Sequence, residues 1–194
     1  MSLVGDDATV IGIDEVGRGA WAGPVTVGAV ELEVGSMLPG VRDSKQLTPA
    51  ARTAASRVIR RHAVRTGLGW VSAAELDAQG LSWALHQAAL RALAQLGTSN
   101  SLVIVDGKHN FLAATHRSVA IVSADALVLP AAAASVLAKV ARDNYMNRLE
   151  LIHPGYGFAT HKGYGTLAHR RAIGSLGPSV QHRQTWGPFR STQS

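Results

Sequence analysis

The segment that decides both fold and site is IGIDEVGRGAWAGP, from Ile11 to Pro24. The apolar run 9–13 predicts a buried strand, and two carboxylates, Asp14 and Glu15, follow it directly. Burying carboxylates costs free energy unless they are paired or bind a metal ion. Glycines on both sides of Arg18 allow the backbone to come very close to a ligand. The segment therefore predicts a metal-binding strand end beside a turn that contacts phosphate.

The composition is that of an ordinary globular protein with a basic surplus. The chain has 194 residues, 46% of them hydrophobic and 16% charged, and a net charge of +6. This length predicts one compact domain over residues 1–194, in which residues 150–194 form a C-terminal helical and loop extension. The basic surplus favours a polyanionic partner, with nucleic acid the first candidate. The absence of cysteine excludes disulfides and thiolate zinc sites.

No segment has the pattern of a targeting or membrane-spanning sequence. The first seven residues lack the basic region and apolar core of a signal peptide. The longest apolar stretch, 120–140, is interrupted by Asp125, Pro130 and Lys139, so it falls short of the ~18 residues that a membrane helix needs. We therefore expect a cytoplasmic protein without a membrane partner.

Predicted strands and helices alternate along the chain. The segment 24–33 is rich in β-branched residues and predicts a second strand, paired with the first in a hairpin. Further strands are predicted over residues 68–71, 101–105 and 118–122, and helices over 48–66, 81–96, 130–149 and 166–175. This order predicts an α/β fold, with a mixed β-sheet flanked by helices and an appended C-terminal helical segment.

Acidic residues follow three of the predicted strands. Asp14 and Glu15 follow the first, Asp106 ends another, and Asp125 comes shortly after a third. Because sites in α/β sheets assemble at strand ends, these carboxylates are expected to converge on Mg²⁺ or Mn²⁺. Taken alone, Asp106-Gly107 is more typical of a turn, so the joint pattern carries the prediction. Adjacent strand residues point to opposite faces, and we therefore expect the strand to end or bulge near Glu15.

An alanine-rich helix carries a second group of candidates. Ser135, Lys139 and Arg142 fall on roughly one face of this helix, where they can contact successive phosphates. Asp143 lies one turn after Lys139. It either pairs with that lysine, as is common on helices, or joins the acidic cluster.

Three other features leave two interpretations each. Tyr164 lies between glycines, where an aromatic ring either stacks on a sugar or base or packs within its own loop. The arginines of the predicted helix 48–66 form either a solvated face or a flank for nucleic acid. They are Arg52, Arg57, Arg60, Arg61 and Arg65. The segment Gln184–Phe189 is either a packed tail or a peptide that binds a sliding clamp.

Seven segments carry a resemblance to a known family. They are Gly12–Pro24, Asp43–Lys45, Val105–Gly107, Ala124–Ala126, Ala132–Asp143, Lys162–Thr166 and Gly177–Arg183. In this order, over residues 9–190, they resemble ribonuclease HII, the type 2 ribonuclease H family. Small departures occur at Ala20-Trp21 and Val180-Gln181, where the family more often has proline-leucine and proline-isoleucine, and neither removes a chemical group.

The resemblance implies a ribonuclease H-like fold and two sets of site residues. The residues that match the family's metal-binding acids, which hold two divalent ions, Mg²⁺ or Mn²⁺, are Asp14, Glu15, Asp106 and Asp125. The residues taken as substrate-binding are Gly17, Arg18, Gly19, Lys45, Ser135, Lys139 and Tyr164. In the family the glycine-arginine-glycine turn contacts the ribose 2′-hydroxyl and the tyrosine packs against the next sugar. The serine and lysine contact phosphate.

The activity implied by the resemblance is that of an endoribonuclease. Its partners are RNA/DNA hybrid duplexes and DNA with embedded ribonucleotides, which it cuts on the 5′ side of the ribonucleotide, leaving 3′-hydroxyl and 5′-phosphate ends. Two ions about 4 Å apart activate water and stabilise the leaving oxygen in such a reaction. We expect the enzyme to be a monomer.

Two alternatives remain open from the sequence. A different two-metal nuclease shares the acids but needs neither the Gly17–Gly19 turn nor Tyr164. A non-enzymatic nucleic-acid-binding domain accounts for the charge but leaves the converging carboxylates unexplained. A nucleotide hydrolase is disfavoured, because the chain has no G-x-x-x-x-G-K-[ST] motif.

Overall fold

A five-stranded mixed sheet forms the centre of the computed structural model, which describes residues 8–41, 44, 47–97, 100–187 and 189. Its strands are β1 (Thr9–Val16), β2 (Val25–Glu33), β3 (Arg65–Val71), β4 (Leu102–Asp106) and β5 (Ser118–Ile121). They lie in the order β3-β2-β1-β4-β5, and β1 and β2 form the predicted hairpin. Because β1, β4 and β5 run parallel, their carboxyl ends meet at one edge of the sheet.

Helices cover both faces of this sheet. They are α1 (Pro49–His62), α2 (Ala73–Gln79), α3 (Leu81–Ala94), α4 (Ala124–Leu127), α5 (Leu129–Ile152), α6 (Phe158–His161) and α7 (Leu167–Leu176). On one face α3 packs against Ile13, Val27 and Val105. On the other face α1 and α5 pack against Val30 and Leu32. The predicted fold class, including the C-terminal helices, is confirmed. No described helix is both long and apolar enough to cross a membrane.

Helix α5 lies closer to the sheet than ordinary side chains would allow. A Cβ atom on Gly12 of β1 would lie 2.1 Å from the backbone of α5, and one on Gly28 of β2 would lie 2.4 Å from the carbonyl oxygen of Ala134. The alanines that begin this helix supply the matching small surface. This approach brings Ser135, in the next turn of α5, within hydrogen-bonding reach of Asp14 at the end of β1.

The predicted helix over residues 48–66 has different boundaries in the structure. Helix α1 ends at His62, and β3 begins at Arg65 rather than near residue 68. Arg65 pairs with Glu31 of β2 across the sheet, and its Nε lies 2.6 Å from a carboxylate oxygen of that residue. This tertiary partner decides the conformation of Arg65, although the arginine spacing fits a helix.

Candidate active site

One cleft gathers most of the residues that the sequence singles out. It lies at the carboxyl edge of β1 and β4 and has a volume of about 400 Å³. Its lining residues are Asp14, Glu15, Val16, Gly17, Arg18, Gly19, Ser44, Arg52, Asp106, Ser135, Lys139 and Tyr164. A larger cleft of about 590 Å³ lies at the opposite edge of the sheet, but its described lining includes no carboxylate. The smaller cleft is therefore the candidate active site.

Asp14 and Asp106 project from the sheet on the side that α5 covers. The pairing of Ile13 with Val105 makes the two aspartates next neighbours at the ends of β1 and β4. Asp14 is buried, with 8% of its surface exposed. Burial, together with the charges of Glu15 and Asp106, raises the pKa of Asp14 to about 7, although hydrogen bonding partly offsets this. The carboxylates on this side of the cleft therefore repel one another, and a divalent cation would relieve that repulsion.

Glu15 lines the same cleft, and β1 ends one residue beyond it, as expected, without a bulge. The strand continues to Val16, in regular pairing with β2. The pairing of β1 with β4 stops at Ile13, so the last residues of β1 have a neighbouring strand on one side only. The long side chain of Glu15 can therefore reach the cleft past this free edge. Burial raises the pKa of Glu15, and the charge of Arg18, whose Nη1 lies 3.5 Å from Oε1 of Glu15, opposes that shift.

Asp125 does not line the cleft, in contrast to the other three predicted metal ligands. It lies in the first turn of α4 and exposes 4% of its surface. The preceding residue, Ala124, donates its backbone N–H to Oδ1 of Asp106 at 2.6 Å. Among the described residues, no three acidic or histidine side chains lie close enough together to hold a metal ion. Direct ligation by all four acids therefore requires side-chain rotation.

The wall of the cleft that α5 forms beside the acids is polar and basic. Ser135 and Lys139 of α5 line it. Nζ of Lys139 lies 2.8 Å from Oδ1 of Asp143, and Nη1 of Arg52 lies 3.7 Å from Oδ2 of the same residue. Of the two interpretations of Asp143, the structure therefore favours pairing with Lys139. The hydroxyls of Ser44 and Ser135 are 2.7 Å apart and also belong to this wall.

Sequence reasoning missed two residues of this wall and predicted one that the structure does not describe. Ser44 lies inside Asp43–Lys45, one of the segments that resemble the family. Its place in that segment was the only sign that it belongs to the site. Arg52 is one of several arginines on α1, and their spacing does not distinguish it from its exposed neighbours. Lys45, predicted to bind substrate, lies outside the described residues.

The prediction that Arg142 shares a phosphate-contacting face with Ser135 and Lys139 is wrong. Arg142 is fully buried and donates three hydrogen bonds to backbone carbonyl groups. These carbonyls belong to Pro24 (2.8 Å), Lys162 (2.9 Å) and Ala22 (3.1 Å). Although Arg142 lies seven residues after Ser135, α5 passes beneath the β1–β2 turn at this point, so the guanidinium meets protein rather than the cleft.

The glycine-arginine-glycine turn and Tyr164 both line the cleft. Gly17 has a φ of +86°, and a Cβ atom there would lie 2.2 Å from Nε of Arg142. The backbone of Tyr164 is fixed on both sides, because its N–H donates to the carbonyl of His161 at 3.0 Å and its carbonyl accepts from Thr166 at 2.8 Å. Its ring is half-buried and lies along the cleft wall. Tyr164 is therefore available to a ligand and is not sequestered within its loop.

The described part of the tail packs against the domain. The backbone N–H groups of Gln184 and Thr185 donate to the carboxylate of Asp77 at 2.6 and 3.1 Å. Trp186 packs against the core beneath α3, and Phe189 is buried beside His182. These contacts favour the packed tail over the clamp-binding peptide.

Comparisons with known proteins show the family of this chain. The family model described as ribonuclease HII matches residues 11–187. A ribonuclease HII from Nitrosococcus oceani is 46% identical over 93% of this chain and 90% of its own length. Ribonuclease H2 from Pyrococcus horikoshii has the same fold, with a TM-score of 0.78, 22% identity and coverage of 94% of this chain and 96% of its own.

A further similar structure is that of ribonuclease HII from Archaeoglobus fulgidus, solved in complex with PCNA. It matches with a TM-score of 0.75 and 28% identity over 95% of this chain and 94% of its own. The 46% identity to the protein from Nitrosococcus oceani exceeds what a shared fold alone would give. The chain therefore belongs to the ribonuclease HII family and is a metal-dependent endoribonuclease of the ribonuclease H class.

Proposed function

We propose that this enzyme hydrolyses the phosphodiester on the 5′ side of a ribonucleotide, both in RNA/DNA hybrids and in DNA with embedded ribonucleotides. The products are 3′-hydroxyl and 5′-phosphate ends. One observation carries the proposal: a single cleft of about 400 Å³ holds three carboxylates, the glycine-flanked Arg18 and Tyr164. The carboxylates suit phosphodiester hydrolysis, and the turn and the aromatic ring suit recognition of a sugar.

The donor set fits Mg²⁺ or Mn²⁺. Carboxylate oxygens are the ligands that these hard cations prefer, and the raised pKa of Asp14 is consistent with a site that needs positive charge. We infer that Asp14, Glu15, Asp106 and Asp125 hold two such ions together with oxygen atoms of the substrate. When bound, the ions would activate a water molecule and stabilise the leaving 3′-oxygen.

The remaining residues of the cleft bind and orient the substrate in this proposal. Lys139, Ser135 and Lys45 contact phosphate, and Arg18 offsets phosphate charge. The backbone from Gly17 to Gly19 meets the 2′-hydroxyl, the group that distinguishes RNA from DNA. Three exposed arginines of α1 continue the basic surface beyond Arg52 and would flank a duplex. They are Arg57, Arg60 and Arg61.

We further infer that residues 1–194 act as one catalytic domain and as a monomer. The segment after residue 150 supplies Tyr164 to the cleft and buries Arg183 beneath the β1–β2 turn. The site therefore depends on the C-terminal extension as much as on the sheet.

The test uses three duplexes of one sequence: all DNA, DNA with a single ribonucleotide, and an RNA/DNA hybrid. Each is incubated with the full-length protein in Mg²⁺, in Mn²⁺ or in EDTA, and the product ends are identified by extension with a DNA polymerase and by ligation. Cleavage only of the two ribonucleotide-containing duplexes, only with metal, and with an extendable 3′-hydroxyl is expected. Equal cleavage of the all-DNA duplex would indicate a general two-metal nuclease, and binding without any cleavage would indicate a non-enzymatic module.

A further inference from the structure

Two fully buried arginines lie beneath the turn that joins β1 and β2. Arg142 and Arg183 have no exposed surface, and within the described chain their side chains donate hydrogen bonds to backbone carbonyl groups. The bonds of Arg142 secure the far end of the turn, at Ala22 and Pro24. The near end, which lines the cleft, is held differently.

Arg183 holds the near end of the turn, at Gly17 and Arg18, and joins it to Gly23 at the far end. Its Nη2 donates to the carbonyl oxygens of Gly17 at 2.7 Å and Gly23 at 3.0 Å, and its Nε also donates to Gly23, at 3.1 Å. Its Nη1 donates to the carbonyl oxygen of Arg18 at 3.0 Å. The backbone N–H of Arg183 donates to Trp21 at 2.8 Å, which aligns the two segments. A guanidinium presents its donors in a rigid planar fork, so one side chain can hold three carbonyl groups in one arrangement.

This arrangement determines where two amide groups point. In a planar trans peptide, the C=O and N–H of one unit point in opposite directions. Because the carbonyls of Gly17 and Arg18 turn inward to Arg183, the N–H groups of Arg18 and Gly19 turn outward. Both residues are exposed and line the cleft. Within the part of the chain that the structure describes, neither N–H has a backbone acceptor.

We propose that Arg183 is the positioning residue for ribose recognition, because it turns the N–H groups of Arg18 and Gly19 toward the 2′-oxygen of the substrate. This role rests on the function proposed above, in which the turn meets the 2′-hydroxyl. Two adjacent donors suit an oxygen acceptor, and a deoxyribose has no oxygen at that place. Arg183 itself lies behind the turn and does not touch the substrate.

The electrostatics of Arg183 agree with this role. Burial, followed by the charge of Arg142, lowers the pKa of Arg183 to about 9, so the side chain remains charged at neutral pH. Burying such a charge costs free energy, and its hydrogen bonds to the turn offset that cost. A neutral replacement would remove the side-chain donors of the Arg18 and Gly23 carbonyls and would leave the Gly17 carbonyl with only the N–H of Ala20, at 3.3 Å. A lysine would keep the charge but replace the fork by a single point donor.

The test compares the wild type with Arg183→Lys and with a matched control, Arg91→Lys. Arg91 also donates to a backbone carbonyl, that of Trp70, but lies on α3 outside the cleft. The measurements are kcat/KM on a duplex with one ribonucleotide, Kd for the all-DNA duplex of the same sequence, and thermal unfolding. For Arg183→Lys we expect kcat/KM to fall roughly 10- to 100-fold, as for loss of one or two oriented hydrogen bonds, while the all-DNA Kd stays within about twofold. Arg91→Lys should change neither kcat/KM nor the Kd for the all-DNA duplex.

Two results would overturn the positioning role. One is a folded Arg183→Lys enzyme that keeps kcat/KM within about threefold of the wild type. The other is a loss of all-DNA binding in proportion to the loss of kcat/KM, which would indicate a general structural role. A wild-type enzyme that fails to cut the ribonucleotide duplex is a separate outcome, because it contradicts the proposed function itself.

A second measurement needs no variant and so does not depend on whether Arg183→Lys folds. Amide hydrogen exchange of the free wild-type protein should show Arg18 and Gly19 unprotected. Ala20 and Trp21 should be protected, since their N–H groups donate to the carbonyls of Gly17 and Gly163. The ribonucleotide duplex should then slow exchange at Arg18 and Gly19 more than the all-DNA duplex does. Protection of these two amides in the free protein would contradict the proposed orientation.

Discussion

The carboxylate of Asp106 caps the chain at Ala124: its Oδ1 accepts a hydrogen bond of 2.6 Å from the backbone N–H of Ala124, the residue that begins α4. The next residue is Asp125. Asp106 therefore both lines the cleft and anchors the helix that carries another proposed metal ligand. These two tasks can be separated, because an amide oxygen can accept the hydrogen bond whereas only a carboxylate supplies the charge.

We expect Asp106→Asn to lose cleavage activity while it keeps most of the stability of the fold. The amide oxygen can still accept from Ala124, but the site loses one negative charge, so kcat should fall by roughly 100-fold or more. Asp106→Ala should lose activity to a similar extent and should also lower the free energy of unfolding, by about 1 kcal/mol, since the N–H of Ala124 loses its acceptor. Activity assays and urea unfolding of both variants check this. Equal stability of the two variants would show that the cap contributes nothing.

We expect Asp14→Asn to abolish cleavage and yet to raise the melting temperature in EDTA. Asp14 is buried beside two other carboxylates, and removal of its charge relieves that repulsion. Added Mg²⁺ should stabilise the wild type more than the variant, because the metal site is part of what is removed. Thermal unfolding with and without Mg²⁺ gives both comparisons. An equal stabilisation of both proteins by Mg²⁺ would remove Asp14 from the metal site.

The carboxylates of the site were predictable because they depend on local patterns. An apolar strand followed directly by acids, and parallel strands whose ends meet at one edge, suffice to bring Asp14 and Asp106 together. The recessed position of Asp125 was not predictable in this way. Ser123 adopts a left-handed conformation with a φ of 58°, which turns the chain into α4 immediately after β5, and no glycine marks that position.

The functions of buried arginines were the least predictable feature. Helical spacing correctly places Lys139 and Arg142 on neighbouring turns of α5 but does not tell what each meets. Lys139 reaches the cleft, whereas Arg142 meets carbonyls of a turn about 120 residues earlier in the chain. In the sequence, Arg183 is distinguished only as part of a family motif, since a cation that binds backbone carbonyls leaves no pattern of its own.

Three histidines behind Tyr164 lead to a prediction about pH. His182 Nδ1 accepts from the N–H of Ser179 at 2.9 Å, so its proton lies on Nε2, which is 3.0 Å from Nε2 of His169. The proton of His169 then lies on Nδ1 and is donated to the carbonyl of Tyr164 at 3.0 Å. The ring of His161 stacks on that of His169 at 4.2 Å. This chain of hydrogen bonds holds only while His169 and His182 are both neutral.

We expect the free energy of unfolding to fall as the pH drops through this range. Burial lowers the pKa of both His169 and His182 from 6.5 to about 4, with the charge of each neighbouring histidine adding to the shift in His182. Between pH 6.5 and about 4, both histidines bind protons in the unfolded chain but stay neutral in the folded protein. The stabilisation is therefore complete above pH 6.5 and is lost progressively toward pH 4, at about 1.4 kcal/mol per pH unit for each group.

Urea unfolding across this pH range checks the histidine prediction. His169→Gln should flatten the dependence of the unfolding free energy on pH, because the glutamine amide can replace the hydrogen bonds of the imidazole without titrating. His62→Gln is the matched control, since His62 is exposed at the end of α1. A wild-type protein whose stability does not change between pH 6.5 and 4.5, or a His169→Gln variant as sensitive as the wild type, would rule out the buried pair as the cause.

We expect Asp143→Asn to tighten binding to duplex DNA and to steepen its dependence on salt. Asp143 lies within 2.8 Å of Lys139 and 3.7 Å of Arg52, and both cations line the cleft. Loss of the carboxylate frees positive charge for phosphate, so Kd for the all-DNA duplex at low salt should fall about two- to fivefold, with close to one additional ion released per complex. Glu33→Gln makes the same charge change at the exposed end of β2 and should leave both quantities unchanged. Titrations over a range of salt concentrations measure them, and weaker binding by Asp143→Asn would mean instead that this carboxylate holds Lys139 and Arg52 in their binding positions.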